Sequence, residues 1–410
     1  MTRRALVLAS LALLLSLGTS GEARAAEPFV LGWNQAWLEG KWASDLSSGF
    51  AKEDWRRVLR RTRTSGGSAL RVWLYEDRKL EGVVWDGHRP AGVDPAFLAN
   101  VRTLAALAAE EKVKIYWTAF DGNWFWEKSG IEYERVWNVV NDKYGFGTAF
   151  RENVLGPTLD AIRSQPGSIY AFDLVNEIQG WVKPWIANKG WESARAFMST
   201  TAAFVHARAP GVRVTTSSGH GEAWGDLLDG RFDGLGFDFL DVHVYTDALA
   251  IPEGKALVAH ARRKGVPLVL GEFGQSKKAT DDAFQARQVK AFLEEAKRLG
   301  FAAAFPWRLE DQQKDGARYS FFDGERERPA VAEARRFGEQ LAREAASSAA
   351  PTSGLTGALD GGGAKGSSGA PSGSSGEKPA SPSPGTPEPE RPSGGEKPAR
   401  RWFRLPPLGE

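Results

Sequence analysis

From residue 28 to about residue 346 the chain alternates short apolar runs with longer amphipathic stretches, and it does so eight times. Strands are predicted over 29–37, 69–75, 113–120, 169–177, 212–217, 237–245, 267–273 and 301–307. Helices are predicted over 54–63, 95–111, 149–163, 192–208, 223–228, 255–264, 281–299 and 330–346, with Pro95 at the early position that helices tolerate. Eight strand–helix units over this length favour an α/β fold of the (β/α)8 type, the TIM barrel. The competing architecture is an open doubly wound sheet. A glycine-rich phosphate loop after the first strand would support it, and the sequence has none there.

The flanks differ in character. Arg3 and Arg4 precede an apolar run over 5–17, too short for a comfortable membrane span, and Ala23-Arg24-Ala25 forms a small-x-small cleavage site. Residues 1–25 therefore read as a signal peptide, with export to the extracellular space or periplasm and no membrane span after cleavage. The competing reading is an uncleaved anchor helix. Residues 26–346 form the expected barrel domain. Residues 347–410 are rich in Gly, Ser, Pro, Ala, Lys and Glu and poor in large apolar side chains, so they read as a disordered tail. The tail ends in Arg400-Arg401-Trp402-Phe403-Arg404-Leu405, which reads either as a frayed end or as a short contact to a wall or surface, and the frayed end is preferred. A formal net charge of +2 gives no argument for nucleic acid as a partner. With no cysteine in the chain, disulfides, zinc–thiolate sites and a thiol nucleophile are excluded.

Two strands end in glutamate. Phe172-Asp173-Leu174-Val175-Asn176-Glu177 closes the fourth, and Leu268-Val269-Leu270-Gly271-Glu272 closes the seventh. In a parallel barrel the C-terminal strand ends surround the active site. Strand alternation groups Asp241, His243 and Tyr245 on one face, Arg71, Trp73 and Tyr75 on another, then Asp173, Val175 and Glu177, and Leu268, Leu270 and Glu272. Charged groups inside barrel strands are costly unless paired, so these strands are expected to supply one another's partners. Two carboxyl groups of unequal protonation are what glycosidic bond cleavage needs: one protonates the leaving oxygen, the other attacks the anomeric carbon or activates water. Arg71 and Tyr245 are the expected partners of Glu272. The alternative for the glutamates is a structural ion-pair network at the barrel mouth. Asp173 and Asp241, deeper in their strands, are expected to hold neighbours in place.

Asn176-Glu177, Glu272, His243-Val244-Tyr245, Arg71 and Trp307, in this order of strands, resemble clan A of the glycoside hydrolases, and within it family five, the cellulase and β-mannanase group. The resemblance covers the barrel and not the tail. It implies a retaining double displacement without a cofactor or metal, with Glu177 as general acid/base and Glu272 as nucleophile. It further implies that Asn176 bonds a sugar 2-hydroxyl, that Arg71 and Tyr245 orient Glu272, that His243 lines the site, and that Trp307 floors it. Many family members carry a histidine near the end of the third strand. Here Asp121, Gly122, Asn123 and Trp124 stand in that region, so Asp121, Asn123 and Trp124 become candidate sugar contacts.

Sixteen tryptophans are unevenly placed: Trp85, Trp124, Trp126, Trp137, Trp181 and Trp185 fall in the second, third and fourth strand-to-helix connections. Flat aromatic faces suit sugar rings, and about half of these are expected to line the cleft. Trp33 and Trp37 belong either to the cleft or to the core, with Trp33 taken as a substrate contact. His220 is a further candidate after the fifth strand, while His206 and His260 are expected at the surface. His243 has no second histidine at ligand spacing, which argues against a metal role. The expected partner is a polysaccharide or oligosaccharide, with β-mannan and β-1,4-glucan leading. The alternatives are a carbohydrate-binding pseudoenzyme on the same barrel and an exo-acting or transglycosylating enzyme of the clan.

Overall fold

The computed structural model describes residues 28–38, 46–75, 80, 82–123, 130–183, 186–219, 223–275, 281–310 and 319–349. The predicted signal peptide, the predicted tail from residue 350 onward, Trp124, Trp126, Trp185 and His220 lie outside the described residues, while residues 347–349 continue the last helix, Pro329–Ala349.

Eight parallel strand positions form the expected barrel. They are β1 (Val30–Asn34), β2 (Ala69–Trp73), β3 (Lys114–Asp121), β4 (Ile169–Asn176), β5 (Val214–Thr215 and Ser217–Ser218), β6 (Leu240–Tyr245), β7 (Leu268–Gly274) and β8 (Ala303–Pro306). Pairing is parallel between β1 and β2, β2 and β3, β3 and β4, and around the other side between β1 and β8, β8 and β7, β7 and β6. The two halves of β5 close the ring: Val214–Thr215 pairs with β4, and Ser217–Ser218 pairs with β6. Closure removes the exposed edges of an open sheet.

Helices wrap the strands as the alternation predicted. Asp94 caps helix Pro95–Glu110 by accepting from the Ala96 amide, and Asp281 caps helix Asp282–Leu299 by accepting from Ala283. Gly300, at φ 96°, ends the latter helix in a left-handed turn that a side chain resists. The connections contain more order than the sequence suggested. A hairpin of Val83–Asp86 and Arg89–Val93 follows β2, and a helix at Ile131–Val140 lies in the third connection.

The lower barrel is filled by aromatic rings. Tyr116 packs edge-on or tilted against Tyr170, Phe239 and Phe305 at centroid separations of 5.6, 5.9 and 5.7 Å. Gly32 makes room for this layer, since a Cβ there would lie 2.1 Å from the Phe305 ring. Above the aromatic layer the interior turns polar, and this switch positions the site.

Strict alternation fails at the strand ends. In β7 the pairing to β6 shifts between Leu270 and Glu272, so Gly271 is an extra, bulged residue. Leu268 and Leu270 pack in the outer cluster while Glu272 meets the interior polar groups; the expected shared face of these three is wrong for that reason. The expected shared face of Asp173, Val175 and Glu177 fails too: Val175 packs outward, while Asn176, set by alternation on the other face from Asp173, meets Arg71 beside it. Tyr75 lies beyond the end of β2, packs on Phe97, and bonds Thr158 at 2.7 Å rather than joining the site.

Candidate functional site

The site begins with Arg71, fully buried on β2. Its Nη1 donates to Glu272 Oε1 at 2.5 Å, and its Nη2 donates to Asp173 Oδ2 at 2.7 Å and Asn176 Oδ1 at 2.9 Å. Burial works against the guanidinium charge, but Glu272 and Asp173 outweigh it and leave the Arg71 pKa raised. Tyr245 donates to the other oxygen of Glu272, Oε2, at 2.7 Å. Burial and the adjoining Glu272 push the Tyr245 hydroxyl well above its ordinary range, so it stays a donor.

Glu177 follows β4 with φ 50°, a left-handed conformation that costs a non-glycine residue of order 1–3 kcal/mol. The turn is held from both sides: its amide donates to Ser217 Oγ at 3.1 Å, and Ser217 Oγ donates to Asp173 Oδ2 at 3.1 Å. Its Oε1 lies 3.0 Å from His243 Nδ1, and its Oε2 accepts from the Asn123 side-chain amide. His243 is fully buried and also lies 3.5 Å from Glu272 Oε2, so it bridges the two glutamates. Burial lowers its basicity, but Glu272 and Glu177 reverse the effect and its pKa is raised. One carboxylate oxygen from each glutamate and the His243 nitrogen lie within 4.8 Å of one another.

Asp121 ends β3, where its Oδ1 accepts from Asn176 Nδ2 at 2.7 Å. Its Oδ2 is buried with no hydrogen-bond partner among the described residues. Burial pushes its pKa up to about 7; the Asn176 bond opposes this and Glu177 adds to it. Sequence reasoning missed Asn34. This β1 residue donates to Gly271 O at 2.9 Å and Phe305 O at 3.1 Å, and its Oδ1 accepts from Arg71 at 3.3 Å. An inward amide at a strand end was the signal available. Asp241 does hold neighbours as expected: it accepts from Tyr116 at 2.5 Å and from the Gly271 amide at 2.9 Å.

Trp33 is a correction. It is fully buried in the outer cluster, edge-on to Phe321 at 4.8 Å. Gly32 and Asn34 take the inward positions of β1, so alternation turns Trp33 away from the site. Trp37 instead joins Trp73 and Trp307 in an aromatic group, with centroids 5.4 to 5.9 Å apart and Trp307 half-buried. Trp73 lies against Arg71, 5.6 Å from its guanidinium carbon, and so ties this group to the carboxylates. Trp181 is core, its indole donating to Asp121 O at 3.1 Å. His260, expected at the surface, is buried and paired with Asp233 at 2.9 Å. Glu310 closes the last loop by pairing with Arg61 at 2.7 Å.

Glu177, His243 and Glu272 converge closely enough to offer a cation three ligands, although nothing in their sequence spacing suggests it. All four carboxylate oxygens already have neutral or cationic partners in Asn123, His243, Arg71 and Tyr245. A metal would have to displace these partners and sit beside a buried guanidinium, so the donor set fits a hydrogen-bonded acid pair better than a metal centre.

The fold and site together define a (β/α)8 barrel with a paired-carboxylate cluster at the C-terminal ends of its strands. No protein-family model matches the chain, and no curated protein matches it in sequence. Solved structures match in fold. The β-mannanase of the blue mussel Mytilus edulis is 18% identical with a TM-score of 0.56, over 75% of this chain and 92% of that one. The β-1,4-D-mannanase of Cryptopygus antarcticus is 16% identical with a TM-score of 0.58, over 76% and 90%. A GH5_18 protein of Streptomyces cattleya, solved in complex with GlcNAc, is 15% identical with a TM-score of 0.59, over 78% and 82%. At these identities the likeness is one of fold.

Proposed function

We propose that the chain is a retaining β-glycosidase of the clan A, family-five type, acting on a β-linked polysaccharide. The observation that carries this reading is the approach of Glu177 and Glu272 oxygens within 4.8 Å, with both oxygens of Glu272 held by donors. So close an approach of the nearest oxygens supports a retaining pair, whose carboxyl groups lie roughly 5–5.5 Å apart, over an inverting pair set roughly 6.5–9.5 Å apart to admit a water.

In the first step Glu177 gives its proton to the glycosidic oxygen as the bond from that oxygen to the anomeric carbon breaks. Glu272 attacks the anomeric carbon and forms a glycosyl ester. In the second step Glu177 takes a proton from water, whose oxygen attacks the same carbon and releases Glu272. Arg71 and Tyr245 hold Glu272 with its attacking oxygen oriented. His243, between the glutamates, responds as charge passes from one to the other. Asn176 has one amide hydrogen on Asp121 and a second left for a sugar hydroxyl. Trp307, with Trp37 and Trp73 behind it, offers an aromatic face to the ring.

β-Mannan is the leading substrate, since two of the structural neighbours are mannanases, and β-1,4-glucan is next. The N-terminal segment supports export, and the tail is read as a frayed end. Among the described residues no helix is long and apolar enough to cross a membrane. The test is reducing-sugar release by the full chain from β-mannan, glucomannan, carboxymethylcellulose, xylan and a β-1,3-glucan, with Glu272→Ala as control. Release from one polymer that the substitution abolishes supports hydrolysis. Tight binding without release by the unaltered chain favours the pseudoenzyme.

A further inference from the structure

An acid that must deliver a proton needs one oxygen open to the leaving group, and Glu177 has neither open. His243, fully buried, holds Oε1 at 3.0 Å, and the side-chain amide of Asn123 donates to Oε2. His243 cannot yield: it is enclosed between the two glutamates and lies 3.5 Å from Glu272. Asn123 is only half-buried.

The backbone that carries Asn123 is fixed. Gly122 lies against the backbone of β4's end, where a Cβ would fall 2.1 Å from Glu177 O. On its other side a Cβ at Gly180 would meet Gly122 O at 1.8 Å. The Gly122 amide donates to Asn176 O at 2.6 Å. With the main chain clamped, the side chain of Asn123 can leave Glu177 only by rotating about its own bonds.

We propose that Asn123 is a positioning residue that caps the proton-delivering oxygen of the free enzyme, and that the glycosidic oxygen of the substrate displaces it. This rests on the assignment of Glu177 as the acid. Before substrate arrives, the Asn123 amide favours the ionised form of Glu177 and fixes its rotamer. In the complex the amide has turned away, Oε2 carries the proton, and the leaving oxygen takes the vacated place. The acid is thereby strengthened as a proton donor only in the unloaded site and relaxes toward ordinary acidity when substrate is bound.

The two pH profiles of one enzyme separate these states, because kcat/KM reports groups in the free enzyme and kcat those in the complex. The experiment uses the full chain and a glycoside whose first step limits turnover, comparing unaltered protein, Asn123→Ala and Asn123→Gln. In Asn123→Ala the alkaline limb of kcat/KM is expected to move up by about one pH unit, a tenfold gain well above the limb. The alkaline limb of kcat stays in place, and Asn123→Gln, which keeps a donor, falls between the other two in kcat/KM. Movement of both limbs together would mean that Asn123 stays on Glu177 in the complex and would overturn the proposal, as would movement of neither. Absence of hydrolysis in the unaltered protein would instead remove the glycosidase reading itself.

Discussion

Asp121 is buried at the end of β3. Its Oδ1 holds Asn176, its Oδ2 has no partner among the described residues, and burial lifts its pKa to about 7. The folded chain therefore binds a proton there that the unfolded chain, with a carboxyl near 3.9, releases. Between about pH 4 and pH 7 the native state holds more protons than the unfolded state, so stability falls as pH rises through that window. Asn in place of Asp keeps an acceptor for Asn176 and carries no charge. Asp121→Asn is expected to be near neutral in stability at pH 4.5 and to stabilise by about 1–3 kcal/mol at pH 8, measured by urea denaturation at both pH values. An equal effect at the two would refute a protonation origin. Arg71 shows the opposite arrangement. Its charge is as deeply buried, but Glu272, Asp173, Asn176 and Asn34 satisfy both Nη atoms. Much of this was legible beforehand. Glu177 and Glu272 were named from their places at strand ends, and Arg71, Asn176, His243 and Tyr245 from their strand faces and the family resemblance; the structure brings all six together. Trp33 was misassigned because its neighbours Gly32 and Asn34, not the tryptophan, show which way β1 faces. Asn123 was named as a sugar contact, whereas its amide lies on a glutamate, a contact between the third and fourth strand ends that no local pattern encodes.

At the scale of elements, the site depends on where strands stop being regular. The bulge at Gly271 turns Glu272 inward, against the alternation set by Leu268 and Leu270. The glycine is required by space: a Cβ would lie 2.1 Å from an Asp241 oxygen, and Asp241 is pinned by Tyr116 at 2.5 Å. Gly271→Ala is expected to destabilise by about 2–4 kcal/mol and to lower activity in the folded fraction, because the clash sits one residue before Glu272. Thermal denaturation with activity normalised to folded protein would measure both effects; a stable and fully active variant would contradict this account of the bulge. Bulges are poorly legible in sequence, since they arise from packing across strands distant in the chain. The helices were more legible because their amphipathic period is local. Helix Ala223–Leu228 matches its expected span, and most others differ by a few residues at their ends. The hairpin after β2 was missed because its strands are short and only Val83, Trp85 and Val93 pack against the core, each partly buried, while most of the rest is exposed.

At the scale of the molecule, the barrel is organised as two layers inside one closed sheet. The lower layer is aromatic, led by Tyr116, Phe239 and Phe305; the upper is a charged network that runs from Asn34 through Arg71 to both glutamates. Each of the six strands β1, β2, β3, β4, β6 and β7 contributes a side chain to that network, and Ser217 on β5 supports Asp173 and Glu177. Such a cluster demands the correct order of parallel strands, which is why the order of the motifs along the chain carried the fold so well. The central claim is that Glu177 and Glu272 work by double displacement. The most direct test is the anomeric configuration of the first product, followed by proton NMR during cleavage of whichever β-glycan the enzyme hydrolyses. The account predicts that the β-anomer appears first and then mutarotates. Initial release of the α-anomer would contradict it.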